Sequence, residues 1–366
     1  MGDSASGEGR ASLARASTDV AARQPPGDAL ESLGAVLDLI RRGRARSRSE
    51  IADLTGLTRG VVAQRVGDLL ARGLVTESMA PSTGGRPPRR LALRADAGHV
   101  LVADVGATSL DVAVADLAGR MLGHADAEAD VSVGPRAILS LVEGLGDRLL
   151  AEVAPPGSLW GVGIGLPGPV EFGSGDPVSP PIMPGWDRYP VRERFTARHQ
   201  VPVWVDNDVN IMALGEWRAG VARGHANVIF VKVGTGIGAG IISDGGLHRG
   251  AQGSAGDPRS LELLQASGRR VGGVLAGLVN FFNPSLVVIG GGVAEAGDAY
   301  LAAIREVVYA RSLPLATRDL LIRFSALGGL AGVTGAAAMV LDQLFAPRTL
   351  GAWIAAGRPD ARIHSL

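Results

Sequence analysis

The first part of the chain repeats apolar side chains at helical spacing. Within residues 29–42, apolar positions recur every three or four residues. This predicts one helix with a single buried stripe, formed by Leu30, Leu33, Val36, Leu37 and Ile40. Gly43 is expected to end this helix. Ser47 and Glu50 then form an S-x-x-E capping box, which predicts a second helix that stops at Gly56.

A third helix follows, capped by Thr58 and running to about Arg72. Its inward face is Val62, Val66, Leu69 and Leu70. Two short helices joined by a tight glycine-containing turn are typical of a helix-turn-helix, whose second helix reads DNA. Arginine can bond guanine and glutamine can bond adenine, while small residues allow close approach to base edges. The candidate DNA-binding residues here are therefore Thr58, Arg59, Gly60, Gln64 and Arg65, with a plain solvated helix face as the alternative.

A short hairpin is predicted next. Leu74–Val75 and Leu91–Leu93 have strand character, and a glycine-, proline- and arginine-rich stretch, residues 81–90, lies between them. This pattern predicts the wing of a winged helix, the alternative being a linker. Arg86 would enter a narrow minor groove, where the negative potential is highest, and Arg89 would lie near phosphates.

Charge supports this interpretation. Between Arg41 and Arg94 there are twelve arginines and four acidic residues, about +8 in total, although the whole chain has a net charge of zero. Such an asymmetry indicates a polyanionic partner for this segment. A compositional preference for arginine explains the choice of Arg over Lys, but it does not explain why the excess lies in one segment.

Composition limits the remaining classes. The chain lacks cysteine, which excludes disulfides and any zinc site that needs thiolates. No apolar run is as long as a membrane span, and residues 1–27 form a polar segment that we expect to be a disordered tail without a secretory signal. We expect a winged helix-turn-helix in residues 28–95, a large domain in 98–346 with lobes at about 98–205 and 206–346, and a C-terminal extension in 347–366.

The large domain contains three glycine-rich turns after apolar strands. The first presents Asp104, Gly106 and Thr108. The third is the glycine end of the buried strand within residues 283–292 and would suit a nucleotide base. The second, about 130 residues after the first, presents Gly234, Thr235, Gly236 and Gly238. Such turns can hold phosphates, and their repetition implies two related lobes around a cleft. Ordinary hairpin loops are the alternative for each turn taken singly.

Together with Gly163–Pro169, Pro184–Trp186 and Asp206–Asp208, these motifs resemble the ROK family, which comprises bacterial repressors, open reading frames of unknown role and sugar kinases. The resemblance extends from about Ala29 to about Phe345. It implies an α/β fold in which the winged helix-turn-helix precedes a two-lobed, actin-like and sugar-kinase-like (ribonuclease H-like) ROK domain. It also implies homo-oligomers, a homodimer or a dimer of dimers.

The resemblance also assigns site residues. In ROK kinases the aspartate at the position of Asp208 is the general base toward the sugar. Effector contacts are implied for Pro167, Gly168, Asn207, Asp208 and Asp257, the last standing for the usual glutamate. A helix cap is the alternative role for Asp208. The sequence departs from the kinase pattern after Asp257, because the zinc loop and its histidine have no counterpart, and Ala107 replaces a phosphate-loop glycine.

These departures favour sensing over catalysis, because a kinase must align one hydroxyl for transfer whereas a sensor needs only differential binding. We expect a sequence-specific DNA-binding regulator, a repressor, that senses a sugar or sugar phosphate and acts in the cytoplasm, at the nucleoid when bound to operator DNA. The alternatives are an ATP-dependent sugar kinase and a regulator that has lost sugar sensing. We expect no catalytic residue and no bound metal, zinc included. ATP is not expected as a cofactor, although the phosphate loops could hold it.

Overall fold

The computed structural model describes residues 27–79, 89–234, 236–251, 255, 268–292 and 297–365. Residues 1–26 of the expected disordered tail (residues 1–27) and the candidate residues Arg86, Thr235 and Asp257 lie outside these described residues, whereas Gly27 begins the first helix.

The N-terminal domain has the three helices and hairpin that the pattern predicts. Ser47 caps the second helix by accepting the backbone N–H of Glu50, and Gly56 ends that helix at φ 70°, in the left-handed region. Thr58 caps the third helix through the N–H of Val61. The elements are α1 (Gly27–Arg41), α2 (Arg48–Thr55), α3 (Arg59–Ala71), β1 (Val75–Met79) and β2 (Arg89–Leu93).

The large domain contains two sheets of five strands with the same plan. In each, a central strand has an antiparallel meander on one side and two parallel strands on the other. The first sheet has the order β5-β4-β3-β6-β9, built from β3 (His99–Val105), β4 (Ser109–Asp116), β5 (Met121–Glu128), β6 (Leu159–Leu166) and β9 (Val203–Asn207). A separate small hairpin consists of β7 (Val170–Glu171) and β8 (Asp176–Pro177).

The second sheet repeats this plan in the order β12-β11-β10-β13-β14. Its strands are β10 (Val228–Val233), β11 (Ile237–Ser243), β12 (Gly246–His248), β13 (Leu286–Gly290) and β14 (Leu321–Phe324). The matched topology places the first and second glycine turns at equivalent positions of two lobes. This is the two-lobed α/β plan that the sequence motifs imply.

Eight helices accompany the two sheets within the described residues. They are α4 (Pro135–Val153), α5 (Val191–His199), α6 (Asp208–Ala219), α7 (Gly268–Phe282), α8 (Gly297–Arg311), α9 (Pro314–Thr317), α10 (Leu330–Leu344) and α11 (Pro347–Trp353). No single described helix is long and apolar enough to cross a membrane, although α10 and α11, bent by 68°, would together meet the criterion of length and composition.

Helix α10 returns from the second sheet to the first. A Cβ on Gly163 of β6 would lie 3.0 Å from the carbonyl oxygen of Ala336, so α10 packs directly on the first sheet. It also crosses α6 at backbone contact, because a Cβ on Gly335 would lie 1.6 Å from the Ile211 carbonyl oxygen. The sequence-based division, which assigned residues 206–346 to the second lobe, did not predict that α10 packs on the first sheet.

The C-terminal segment packs between the two domains. Trp353 contacts the ring of Trp160 at 5.2 Å and that of Phe345 at 6.0 Å, and its Nε1 donates to the Leu344 carbonyl. Helix α11 lies against α1, where Pro347 is 3.6 Å from a Cβ placed on Gly34. Buried side chains of the winged helix, α10 and α11 therefore form one continuous hydrophobic core.

Candidate DNA interface and effector cleft

Helix α3 separates buried and exposed faces as expected for a reading helix. Val62, Val66 and Leu69 are fully buried against the domain core. The opposite face is exposed and carries Thr58, Arg59, Gly60, Ala63 and Gln64. Neither Arg59 nor Gln64 has a side-chain hydrogen bond to another described residue, so their polar groups face solvent. This face can approach the edges of bases.

Arg65 lies differently from the other candidates. Its Nε donates to Ser32 Oγ on α1 at 2.8 Å, and only 13% of the side chain is exposed. The guanidinium therefore joins α3 to α1 within the domain. The side-chain spacing placed Arg65 at the border of the exposed face, and the hydroxyl of Ser32 draws it inward.

The hairpin β1–β2 is antiparallel, with Met79 opposite Arg89. Glu77 on β1 accepts from Arg48 of α2 and, at 2.9 Å, from Arg89. The hydrogen bond from Arg48 is the main reason that the pKa of Glu77 lies below its usual value. Arg89 remains 58% exposed. The first and last strands of the predicted wing are thus fixed to α2.

The cleft between the lobes brings Asp104 and Asp208 close to Lys232. Asp208, the first residue of α6, has a buried side chain, and its Oδ2 lies 2.5 Å from Lys232 Nζ on β10. Asp104 on β3 is buried, and its Oδ1 has no hydrogen-bond partner among the described residues. Loss of water on burial raises the pKa of Asp104 to about 7, against the opposing attraction of Lys232.

A second polar group lies beside this pair. Asn207, not Asp208, is the N-cap of α6: its Oδ1 accepts from the N–H groups of Val209 and Asn210. Its Nδ2 donates to the Gly168 carbonyl at 2.9 Å, which joins two of the candidate effector contacts and leaves the adjacent Pro167 buried.

Asp206 and Arg249 form a further ion pair at the cleft. Asp206 Oδ2 accepts from Arg249 Nε at 2.7 Å, and Arg249 stacks over the Phe172 ring at 3.8 Å. The position of Asp257 lies outside the described residues. Among the described residues, no group of three or more Asp, Glu or His side chains is placed to hold a metal ion.

The glycines of the phosphate-loop motifs have two different roles. Gly106 sits in a tight turn whose N–H donates to the Ser109 carbonyl at 2.7 Å, and Thr108 beside it is exposed. Gly234 and Gly236 have open space around their Cα atoms. Gly238 instead allows close packing, because a Cβ there would lie 2.7 Å from Val209 of α6.

A chain of ion pairs connects the large domain to the winged helix. Asp342 near the end of α10 accepts from Arg41 of α1 at 2.8 Å and from Arg218 of α6. Arg41 also bonds Asp38 of its own helix, and Arg72 of α3 donates to the Ile354 carbonyl at 3.2 Å. Helix α6 therefore begins at Asp208 and, near its other end, is connected to the winged helix. Arg218 of α6 and Arg41 of α1 both bond the carboxylate of Asp342.

Sequence reasoning did not identify Lys232, Arg249 or Asp342 as site residues. A signal existed only for Lys232, which is the sole lysine of the chain and interrupts an apolar strand. Asp342 is separated from Arg41 by 301 positions, and no local pattern joins them.

Comparison with known proteins agrees with this architecture. The ROK family matches residues 100–258 and 254–343. The chain belongs to the ROK family. A xylose repressor of Caldicellulosiruptor bescii is 27% identical over 84% of this chain and 95% of its own length. A glucokinase of Halalkalibacterium halodurans is 25% identical over 66% and 94%.

The similar solved structures also include both transcriptional regulators and sugar kinases. A ROK family transcriptional regulator, a homologue of the E. coli MLC protein, has a TM-score of 0.73 at 20% identity, covering 90% of this chain and all of that one. A ROK glucokinase from Streptomyces griseus, in complex with glucose and AMPPNP, has a TM-score of 0.58 at 25% identity and covers 66% and 99%. These two regulators cover 84% and 90% of this chain, and these two kinases each cover 66%. This ROK protein is a DNA-binding regulator of the repressor type, with sugar kinases among its relatives.

Proposed function

We propose that this protein is a sugar-responsive transcriptional repressor that does not phosphorylate its ligand. The observation that supports this most is the continuous path from the cleft to the DNA-reading domain. Asp208 begins α6, Arg218 near its end bonds Asp342, and Asp342 bonds Arg41 of α1. A ligand held between the lobes would act on α6, which is bonded to α10, and Asp342 of α10 is bonded to α1 of the winged helix.

DNA reading is assigned to Arg59, Gly60 and Gln64 on α3, with Thr58 and Arg89 at phosphates and Arg86 at the wing tip. Arg65 is left out of the reading face because its guanidinium is engaged with Ser32. Two copies of this domain in a homodimer would meet half-sites one DNA turn, about 34 Å, or a multiple of it apart. A change in lobe closure alters that spacing and so the affinity for the operator.

The effector is proposed to be a sugar, bound by the Gly168 backbone, Asn207 and Asp208. The relatives that match most of the chain are xylose repressors, so D-xylose is the first probe and D-glucose the second. A sugar phosphate is the charged variant of the same ligand class and belongs in the same panel.

Kinase activity is the second candidate, favoured by the glucokinase relatives and by the retained Asp208. A general base must be free to take a proton from the attacking hydroxyl. Here the Asp208 carboxylate is bonded to an ammonium group, which opposes that role. Neither a bound metal nor a nucleotide is part of the proposal.

The deciding experiment is sequencing of genomic fragments bound by the purified full-length protein, with and without each sugar. We expect one enriched palindromic sequence whose occupancy falls when the effector is added. Enrichment unaffected by every sugar would leave a regulator that responds to another signal and would refute sugar sensing. ATP turnover that depends on a sugar would refute the proposal that the protein does not phosphorylate its ligand.

A further inference from the structure

Lys232 is the only lysine in a chain with 36 basic residues. Every other cationic side chain is arginine, and most of these lie at surfaces or domain contacts. The single lysine lies on β10, in the cleft, with 22% of its side chain exposed. Because the chain otherwise uses arginine for its permanent positive charges, a lysine at this position is unusual. The role of an ammonium group there therefore needs an explanation.

The ammonium group compensates more than one carboxylate. Its Nζ bonds Asp208 Oδ2 at 2.5 Å, and it is also attracted by Asp104 of β3 and, more weakly, by Asp111 of β4. Burial lowers the pKa of Lys232, but the attraction of Asp208 and Asp104 outweighs it, so the pKa lies above the ordinary value for lysine. Lys232 therefore stays protonated throughout the neutral range.

Both oxygens of Asp208 are in use. Oδ1 accepts from the N–H of Val209 at 2.8 Å, and Oδ2 accepts from Lys232. The ammonium group has three donors, and within the described residues only one of them has a hydrogen-bonded partner. A compact ammonium group suits this position better than a guanidinium, whose planar fork needs a wider, bidentate partner.

We propose that Lys232 is the built-in cation of the cleft, a positioning residue that holds the Asp208 carboxylate through a direct ion pair and offers its remaining N–H groups to an oxygen of the ligand. In this state Asp208 binds a hydroxyl without removing its proton, so the cleft recognises a ligand and does not activate it. The part that concerns the ligand rests on the proposed effector function, whereas the ion pair is independent of it.

The single lysine makes a direct test practical. In full-length protein grown with lysine labelled at ¹³Cε and ¹⁵Nζ, one side-chain signal reports Lys232 alone. We expect the titration midpoint of this signal to lie above about 10.4, the value for free lysine. In Asp208→Asn the midpoint should fall, because the largest attraction that raises it is removed. The matched control is Asp111→Asn, which removes a carboxylate of weaker influence and should lower the midpoint less. A wild-type midpoint at or below that of free lysine, or equal shifts in the two variants, would overturn the ion-pair assignment.

The second arm tests the ligand contact with D-xylose and D-glucose, using calorimetry to establish binding. A sugar that binds should move the Lys232 signal. Lys232→Met should weaken the binding of that sugar at least ten-fold. Lys232→Arg, which keeps the charge, should restore part of the lost affinity. Circular dichroism establishes that each variant is folded. Binding that leaves the lysine signal unmoved contradicts the contact. If neither sugar binds the wild type, the proposed sugar effector fails, while the titration midpoint still decides the ion pair.

Discussion

The substitution Asp342→Asn removes the charge that joins the large domain to the winged helix. Asp342 is bonded to Arg41, whose side chain is 10% exposed, and to Arg218, which is 22% exposed. Asparagine keeps the size and one acceptor oxygen of aspartate but leaves the largely buried guanidinium group of Arg218 without a counter-charge. Asp38 continues to pair with Arg41, so Arg218 bears most of the loss.

Breaking a fully buried ion pair by removing one partner costs about 3–5 kcal/mol. Asp342 is 25% exposed, so water and Asp38 reduce the cost, and we expect about 2 kcal/mol, equivalent to about a 30-fold change in an equilibrium constant. The loss falls on the contact between domains and not on the reading helix. Operator affinity without ligand should therefore change less than the ligand response, measured as the ratio of affinities with and without the effector.

The assay is fluorescence anisotropy on the selected operator, together with chemical unfolding. The matched control is Asp319→Asn, the same change at a carboxylate that is 81% exposed and paired with an exposed arginine, where the cost should be near zero. If Asp342→Asn and Asp319→Asn gave the same stability and the same ligand response, the ion-pair path would have no part in coupling.

Three further outcomes follow from particular residues. Arg59→Ala should weaken binding to the preferred operator about ten-fold or more beyond any loss on random DNA, and equal losses would exclude base reading by this side chain. Gly335→Ala should destabilise the fold by about 3 kcal/mol or more, since its Cβ would lie 1.6 Å from a backbone oxygen, whereas Gly144→Ala, in open space on α4, should be stabilising in the same unfolding assay. Burial favours protonated Asp104 in the folded state, so the contribution of Asp104 to stability should be greatest below about pH 4 and fall as pH rises to about 7. The difference in unfolding free energy between the wild type and Asp104→Asn, followed by thermal unfolding across this range, should show that fall.

Local sequence predicted the elements whose determinants are local. The Ser47 cap, the Gly56 stop and the split faces of α3 depend on residues a few positions apart, and the structure confirms each. The repeated strand–turn–strand units likewise predicted two lobes with one topology, because each unit contains its own hydrogen-bonding partners.

Contacts across long sequence distances could not be predicted in this way. The inward turn of Arg65 depends on Ser32 of another helix, and the return of α10 to the first sheet depends on small residues in β6 that leave room for it. The pair of Lys232 with Asp208 is formed only when the second sheet is placed against α6. A sequence pattern locates side chains along an element, but which carboxylate meets which cation is decided by the packing of elements.

Packing also constrains how a signal can travel from the cleft. A Cβ on Gly332 of α10 would overlap the Asp104 carboxylate, and Gly335 of the same helix touches the backbone of α6. The contact between α10 and α6 cannot compress, because their backbones already meet there without intervening side chains. A ligand that moves either helix must therefore move both. Asp342 is on α10 and bonds α1, so that motion either carries the winged helix with it or breaks the Arg41–Asp342 pair. In the proposed homodimer, motion that carries the winged helix would change the spacing of the two reading helices, and breaking the pair would release a constraint on that spacing. Either outcome would let a ligand alter operator affinity.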